Sequence, residues 1–358
     1  MPATNSTATE ADVPILEPSP ALEPSPLPAQ FLGTETGVLI GLRADEREGD
    51  YGSPSEYRTL WLSDEGGGES FEPLQFDGVI VTPRTKDDPR HQLWTFKPVF
   101  YETPTDQIRA IAASPTMEPI VTVDDPDENV ILNERLTYVG EDMVSLKVEA
   151  AYWAGNGNAY SQSAWVKRFD QLGRSKRYDG FSTKWDDSAH LRIQDALGDK
   201  LTAEYTGEAT TGEMEAELGG LKVALPLGDN WIIERDGHLW TPKIVGLVDY
   251  PGSAYAAVAL PSRLLDVAQP IEETPNWTAV MLTQSGVKDT FLSDERDYIV
   301  IQTADSLLLY AYKDDAPVGE PIWTLKLMPG ETVVMCRWFA GDEKPKWSEQ
   351  FRNAYSVR

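Results

Sequence analysis

Cysteine is nearly missing: the 358 residues contain one, Cys336. With one thiol, neither an intramolecular disulfide nor a thiolate metal cluster can form, so packing has to supply the stability. Cys336 stands in the apolar run Thr332-Val333-Val334-Met335-Cys336, where it reads as a small buried hydrophobe whose thiolate is suppressed by its surroundings. Histidine is almost as scarce. His91, His190 and His238 stand far apart with none of the spacings of a zinc site, and each reads as a surface or hydrogen-bonded residue. No apolar run is long enough to cross a bilayer as a helix, and the first residues have neither a basic region nor an apolar core of a signal peptide. Direct membrane insertion of this chain is therefore not expected. Positive charge is in deficit, 31 Lys+Arg against 58 Asp+Glu for a formal charge of −27. Such a field repels phosphate backbones and anionic membranes, which removes nucleic acid from the expected partners. It attracts cations, basic proteins and cationic peptides, but a solvated surface kept soluble by its charge accounts for it as well.

The short motifs that carry chemistry are also missing. There is no Gly-x-Ser-x-Gly elbow, no His-Glu-x-x-His, no phosphate-cradling glycine loop followed by Lys-Ser/Thr, and no Gly-x-Gly-x-x-Gly opening a helix. Acidic residues are abundant, and glycoside hydrolysis needs only two carboxyl groups about 5–10 Å apart, but sequence offers no means of choosing a pair among so many. The densest acidic cluster, Asp124-Asp125-Pro126-Asp127-Glu128-Asn129, supplies Asp124, Asp125 and Asp127 as candidate oxygen ligands for Ca²⁺. Val130 stands where an EF-hand needs glycine and no glutamate closes the loop, so no cofactor is expected.

Proline is what the chain has first. The stretch Glu17-Pro18-Ser19-Pro20-Ala21-Leu22-Glu23-Pro24-Ser25-Pro26-Leu27-Pro28 nearly repeats Glu-Pro-Ser-Pro, a composition that stays extended and hydrated and cannot pack a core. Residues 1–30 therefore read as a disordered leader or tether. Tethers of this kind hold surface domains away from a wall or membrane, which predicts an extracytoplasmic, cell-surface or secreted location.

Beyond the leader, short runs of Val, Ile, Tyr, Trp and Leu alternate with clusters of Gly, Asp, Asn, Ser and Pro, the pattern of strands and turns. Strands are predicted over 38–42, 58–62, 78–82, 93–100, 135–138, 144–153, 164–169, 221–225, 231–234, 255–260, 278–282, 298–303, 306–313, 323–327 and 331–338. Two helices are predicted. One follows Trp185-Asp186-Asp187-Ser188, with Ile193, Leu197 and Leu201 on one face behind capping oxygens; the other, short, runs from Thr105 to Ala113 behind Asp106. The fold class is α+β, predominantly antiparallel β: an N-terminal β segment over 31–100, a central α+β lobe over 101–266 with one or two helices packed on a sheet, and a C-terminal β segment over 267–358. Proximity of domain ends suggests that the flanking segments pack together.

Three stretches in order resemble the extracytoplasmic domain of RsiV-type anti-sigma factors, a domain also found in some cell-wall deacetylases and surface lipoproteins of Gram-positive bacteria. The first is Met143 to Glu149, then Tyr152-Trp153-Ala154-Gly155-Asn156-Gly157-Asn158, then Ala164 to Gly173, like the family's strand, glycine-rich loop, strand and Asp-x-x-Gly turn. The second is the helix predicted from Asp187 to Leu201. The third is Asp236-Gly237-His238-Leu239-Trp240 followed by Tyr250-Pro251-Gly252 to Leu265, like its closing strand. The family's loop reads Gly-Gly-Ala-His; here Gly155-Asn156-Gly157-Asn158-Ala159-Tyr160 lacks the histidine. The resemblance implies a surface location and no particular activity.

The 11 tryptophans divide into core and recognition candidates. Trp153, Asn156, Asn158 and Tyr160 form the candidate ligand-binding surface, because flat rings stack on sugars or peptides and Gly/Asn loops leave backbone donors open. Trp185, Trp231 and Trp240 read as core. The sequon Asn276-Trp277-Thr278 carries no meaning in a bacterial source. The functional expectation is a tethered, extracytoplasmic ligand-binding or sensing domain without catalytic activity, its ligand a protein, peptide or glycan. The alternatives are a secreted carboxylate-dependent glycan hydrolase and a structural surface protein.

Overall fold

The structure, a computed structural model, describes residues 36–45, 55–63, 73–82, 93–102, 107–116, 130–153, 158–172, 190–193, 195, 213–218, 221–226, 231–236, 238–247, 255–259 and 274–356. The leader 1–30 and the acidic cluster at Asp124, Asp125 and Asp127 lie outside them, as does most of the helix predicted over 187–201.

The fold is β-rich. In chain order the strands are β1 (Thr36–Asp45), β2 (Ser55–Ser63), β3 (Leu74–Asp77), β4 (Val79–Val81), β5 (Trp94–Glu102), β6 (Gln107–Pro115), β7 (Val130–Val139), β8 (Met143–Trp153), β9 (Asn158–Arg168), β10 (Glu213–Leu218), β11 (Leu221–Pro226), β12 (Trp231–Asp236), β13 (Leu239–Leu247), β14 (Tyr255–Ala259), β15 (Asp289–Leu292), β16 (Tyr298–Gln302), β17 (Ser306–Lys313), β18 (Ala316–Lys326) and β19 (Thr332–Ala340). Helix α1 (Trp277–Thr283) precedes β15 and helix α2 (Glu343–Ser356) follows β19. The strands form sheets in the orders β19-β1-β2-β3, β4-β5-β6-β7-β8-β9, β10-β11, β12-β13-β14 and β15-β16-β17-β18. Pairing is antiparallel except between β6 and β7, which run parallel.

The sheet β19-β1-β2-β3 is the wall between two cores. Strand side chains alternate between faces, and β1 sends Val38, Ile40 and Leu42 into one core and Leu39 into the other. Strand β2 divides in the same way, Leu60 and Leu62 against Tyr57 and Trp61. The first core is completed by Trp231, Ile233, Trp240 and Ile244 of β12 and β13 and by Phe291, Tyr298, Val300, Leu307 and Leu309 of β15–β17. The second is completed by the six-stranded sheet, through Phe96, Leu136, Val144, Leu146 and Trp165, and by Phe351 of α2. Gly37 faces Trp61 so closely that a Cβ there would lie 2.5 Å from the ring, so only glycine lets the indole lie against β1.

The pairing of β1 with β19 joins the flanking segments directly, from Thr36 opposite Ala340 to Arg43 opposite Thr332. Long-range ion pairs reinforce this closure. Arg58 of β2 holds Glu331, just before β19, through two bonds of 2.7 Å, and Glu331 also accepts the amide of Met328. Cys336 is half-buried in β19, packed against the first core.

Strands β3, β10 and β15 stand where the sequence reading has no element, and three further segments differ from it. The helix predicted over 105–113 is strand β6, laddered to β5 from Trp94 opposite Pro115 to Glu102 opposite Gln107. Ala110, Ile111 and Ala112 are consecutive and all buried; a run buried on both faces has no two-residue alternation to distinguish it from a helix. The strand predicted over 278–282 is helix α1, started by Asn276, whose side chain accepts the amide of Ala279, the cap expected of asparagine. Only Val280 of this helix is buried. Helix α2 had no sequence assignment, although Trp347, Phe351 and Ala354 fall on one helical face and pack against the second core.

Two outcomes follow from the second core. Phe351 packs on Trp61 with ring centroids 4.7 Å apart and planes tilted by 36°, and lies near Phe76 and Phe339, so Phe351→Ala is expected to cost about 3–5 kcal/mol, read as a lower urea midpoint with unchanged m-value. Burial pushes the Tyr57 phenol above its ordinary 10.0, and its oxygen accepts the Leu136 amide at 3.1 Å. The neutral phenol is the form the fold holds, so its contribution is present below the unfolded value and lost as pH rises through the folded one. Tyr57→Phe should therefore lower stability near neutrality by about 1–3 kcal/mol through the unsatisfied amide, yet flatten the alkaline loss of stability followed by circular dichroism.

Candidate functional site

Charged groups that converge in the described residues were tested first for chemistry. The β12–β13 hairpin turns so tightly that Asp236 pairs with Leu239, and His238 in the turn adopts φ 74°, a left-handed backbone that costs a side-chain-bearing residue about 1–2 kcal/mol. Its imidazole lies flat on Trp277 at the start of α1, 3.6 Å between centroids and 22° between planes. Behind the turn Arg235 grips both oxygens of Asp289 at 2.7 Å each. The same guanidinium donates to the carbonyls of His238 and Thr290 at 2.8 and 2.9 Å and lies over the rings of Trp240 and Phe291.

An Asp and a His side by side suggest an acid–base relay, but the bonding is otherwise. In a relay the carboxylate accepts the imidazole Nδ1–H and the far nitrogen faces a nucleophile. Here Nδ1 of His238 stands 3.6 Å from Asp289 Oδ1, beyond a hydrogen bond, while Arg235 holds both carboxylate oxygens and Thr290 N–H donates to one of them. The cluster is a clamp that fastens the β12–β13 hairpin to β15 and α1.

The other buried charges act likewise. Lys167 of β9 reaches Glu134 of β7 at 3.2 Å, each side chain 2% exposed, and the second Glu134 oxygen accepts the Ile111 amide at 2.8 Å. Strands β6 and β7 pair only from Gln107–Ile131 to Arg109–Asn133, so past that point the carboxylate replaces the missing main-chain acceptor. Arg337 of β19 pairs with Glu141 at 2.9 Å and donates to the Thr82 carbonyl at 2.6 Å. Among the described residues no group of three or more His, Cys, Asp or Glu is placed to hold a metal ion.

Of the predicted binding residues, Trp153 ends β8 opposite Asn158 of β9, and Tyr160 pairs with Ala151; Asn156 lies outside the described residues. Register thus brings Trp153 and Asn158 together at the mouth of one hairpin. Trp231 and Trp240 are core, as read from sequence. His190 is buried and stacked over Trp165, and His91 lies outside the described residues.

Sequence reasoning missed one feature among the described residues, the outer edge of β18. The sheet β15-β16-β17-β18 has two edges. The β15 edge is met by Arg235, which donates to the Thr290 carbonyl. Strand β18, 11 residues long, has no strand beside its outer edge among the described residues, and Glu320, Thr324 and Lys326 are exposed. Helix α1 packs against this strand and leaves Met281 and Leu282 exposed at 45% and 84%. Native proteins ordinarily blunt such an edge because it templates pairing with another chain; here Pro317, Pro321 and the register jump blunt the first half of β18 and leave 322–326 regular. In sequence β18 reads only as a strand; its edge position depends on pairings made elsewhere.

In comparison with known proteins, no family model and no curated protein matches the chain.

Arg235→Ala is expected to destabilise the fold by about 3–5 kcal/mol, because Asp289 is left buried without its counter-charge. Arg235→Met combined with Asp289→Leu should recover most of that loss. A double-mutant cycle by urea unfolding measures it, and Trp277 fluorescence reports whether the hairpin has detached.

Proposed function

We propose that this chain is a tethered, extracytoplasmic domain that binds a polypeptide partner and performs no catalysis. The observation that carries the reading is the outer edge of β18, which has no neighbouring strand among the described residues, together with the exposed Met281 and Leu282 of the helix packed on it. An extended segment added to a sheet edge gains main-chain hydrogen bonds along its length, and side-chain pockets on either face supply the selectivity. The proline-rich composition of residues 2–30 supports the tether, and the likeness of 143–173 and 236–265 to RsiV-type domains is in keeping with a surface location.

Two observations weigh against the enzymatic and glycan readings. The converging carboxylates of Asp289, Glu134 and Glu331 are each held by a cation from another strand, whereas a glycosidase needs one carboxyl free to give a proton and another to attack or to activate water. Of the described tryptophans, Trp61, Trp165, Trp231 and Trp240 are buried, Trp277 lies under His238, Trp323 and Trp338 pack on the first core, and Trp94 and Trp347 pack on the second. A polypeptide needs main-chain partners more than stacking platforms, and β18 offers them.

A selection from displayed random peptides on the immobilised full chain tests this reading. Recovered peptides should slow amide hydrogen exchange in residues 322–326 and leave exchange in β1 unchanged. Failure to recover a binder, or recovery of binders that leave β18 exchange unaltered, overturns it.

A further inference from the structure

We infer that the occupant of the β18 edge is an extended basic segment of another protein, paired through Ile322, Thr324 and Lys326 and drawn in by the acidic hairpin end of the same sheet. The inference rests on the reading of β18 as a binding edge and names the chemistry of what binds there. In an antiparallel ladder successive residues turn their main-chain groups alternately towards and away from the neighbouring strand. Leu327 gives its N–H to Asp305 on the β17 side, and register continues with Leu325 opposite Leu307 and Trp323 opposite Leu309. The odd-numbered residues therefore face β17, and Ile322, Thr324 and Lys326 present their N–H and C=O groups outward.

The earlier half of β18 is closed to such pairing. The register jumps from Trp323 opposite Leu309 to Val318 opposite Ala311, Gly319 takes φ 72°, and Pro317 and Pro321 carry no N–H. A guest strand can be laddered over 322–326 and must continue past the kink on side-chain contacts alone. What it meets there is acidic. Glu320 is exposed at the kink, close enough that its charge, after burial, helps to raise the Tyr310 phenol. Beyond it Asp314 and Asp315 form the β17–β18 turn, and Asp294 and Glu295 stand exposed in the neighbouring β15–β16 turn. The two turns are tied together by Tyr312 N–H donating to Asp297 and by the Arg296–Asp315 ion pair. The cations in this region are Lys313, Lys326 and Arg296, the last committed to Asp315. With a formal charge of −27 over the whole chain, both local and long-range fields favour a positively charged guest and oppose a second copy of the chain.

The test uses the full chain and three synthetic peptides of equal length that alternate valine with lysine, glutamate or serine. The lysine peptide should bind at least tenfold more tightly than the serine peptide, weaken steeply as salt is raised, and protect the amides of residues 322–326 from exchange; the glutamate peptide should not bind. Thr324→Pro removes an outward N–H without touching the β17 ladder and should weaken the lysine peptide at least tenfold. Glu320→Lys should weaken it severalfold with the ladder intact, and circular dichroism of both variants should match the parent. Equal binding of the lysine and serine peptides with β18 protected overturns the basic character while leaving the edge reading standing. Lysine-peptide binding unaffected by Thr324→Pro, with no protection in β18, overturns the edge itself. Concentration-dependent self-association that protects 322–326 without peptide overturns the proposed occupant in favour of a second copy.

Discussion

The structure hangs on one strand that is buried on both faces. β1 lies between β2 and β19 in the ladder and between two cores across it. Every residue from Thr36 to Leu42 is buried. A strand in that position has no solvent-facing side on which to place a polar residue, so its register is strongly specified: a slip by one residue would exchange Val38, Ile40 and Leu42 for Gly37, Leu39 and Gly41 and leave one core underfilled. Because its partner β19 comes from the far end of the chain, neither half can complete this wall alone. The pairing therefore closes a loop that spans most of the chain, at a cost in loop-closure entropy.

Charge is used at the seams between sheets. Arg235–Asp289, Arg58–Glu331 and Arg337–Glu141 each link elements distant in sequence, and Lys167–Glu134 closes the place where β6 and β7 diverge. Moving such ions out of water costs several kcal/mol each, recovered only when geometry and additional hydrogen bonds are good. That condition is met most fully by Arg235, whose guanidinium is bonded to Asp289 and to two carbonyls and covered by two rings. A sheet packed at another angle would strand these charges away from their partners, at the cost of a buried unpaired ion. Among the described residues these four acids and their cations are occupied with one another.

The proposed binding edge is on the outside of the β15–β18 meander. One face of that sheet joins the first core and the other is plugged by Val280 of a two-turn helix. The helix packs on that face and against β18. The outer edge of β18, the exposed Met281 and Leu282 of the helix packed on that strand, and the acidic turns at the hairpin end all belong to this part of the fold.

Much of the architecture was legible in the order of residues. Tyr57, Thr59 and Trp61 alternate with Leu60 and Leu62, and runs such as Tyr298 to Ile301 are apolar throughout; both patterns mean strand because a pleated chain has a two-residue period. The errors fall where that period is absent. Ala110-Ile111-Ala112 is buried on both faces, and Thr278 to Leu282 is apolar but mostly exposed, so hydrophobicity there carries no record of geometry. The candidate site was less legible still. Arg235 and Asp289 are 54 residues apart, and nothing near either announces the other. Composition and local pattern by themselves determined a β-rich, acidic body behind a proline-rich stretch, because propensity, charge and the φ restriction of proline are properties of residues and their neighbours. Tertiary structure alone decided which strands meet, that β1 closes on β19, and that β18 is left at an edge. Those outcomes depend on which buried surfaces fit together across the whole chain, and no local window of residues contains that information.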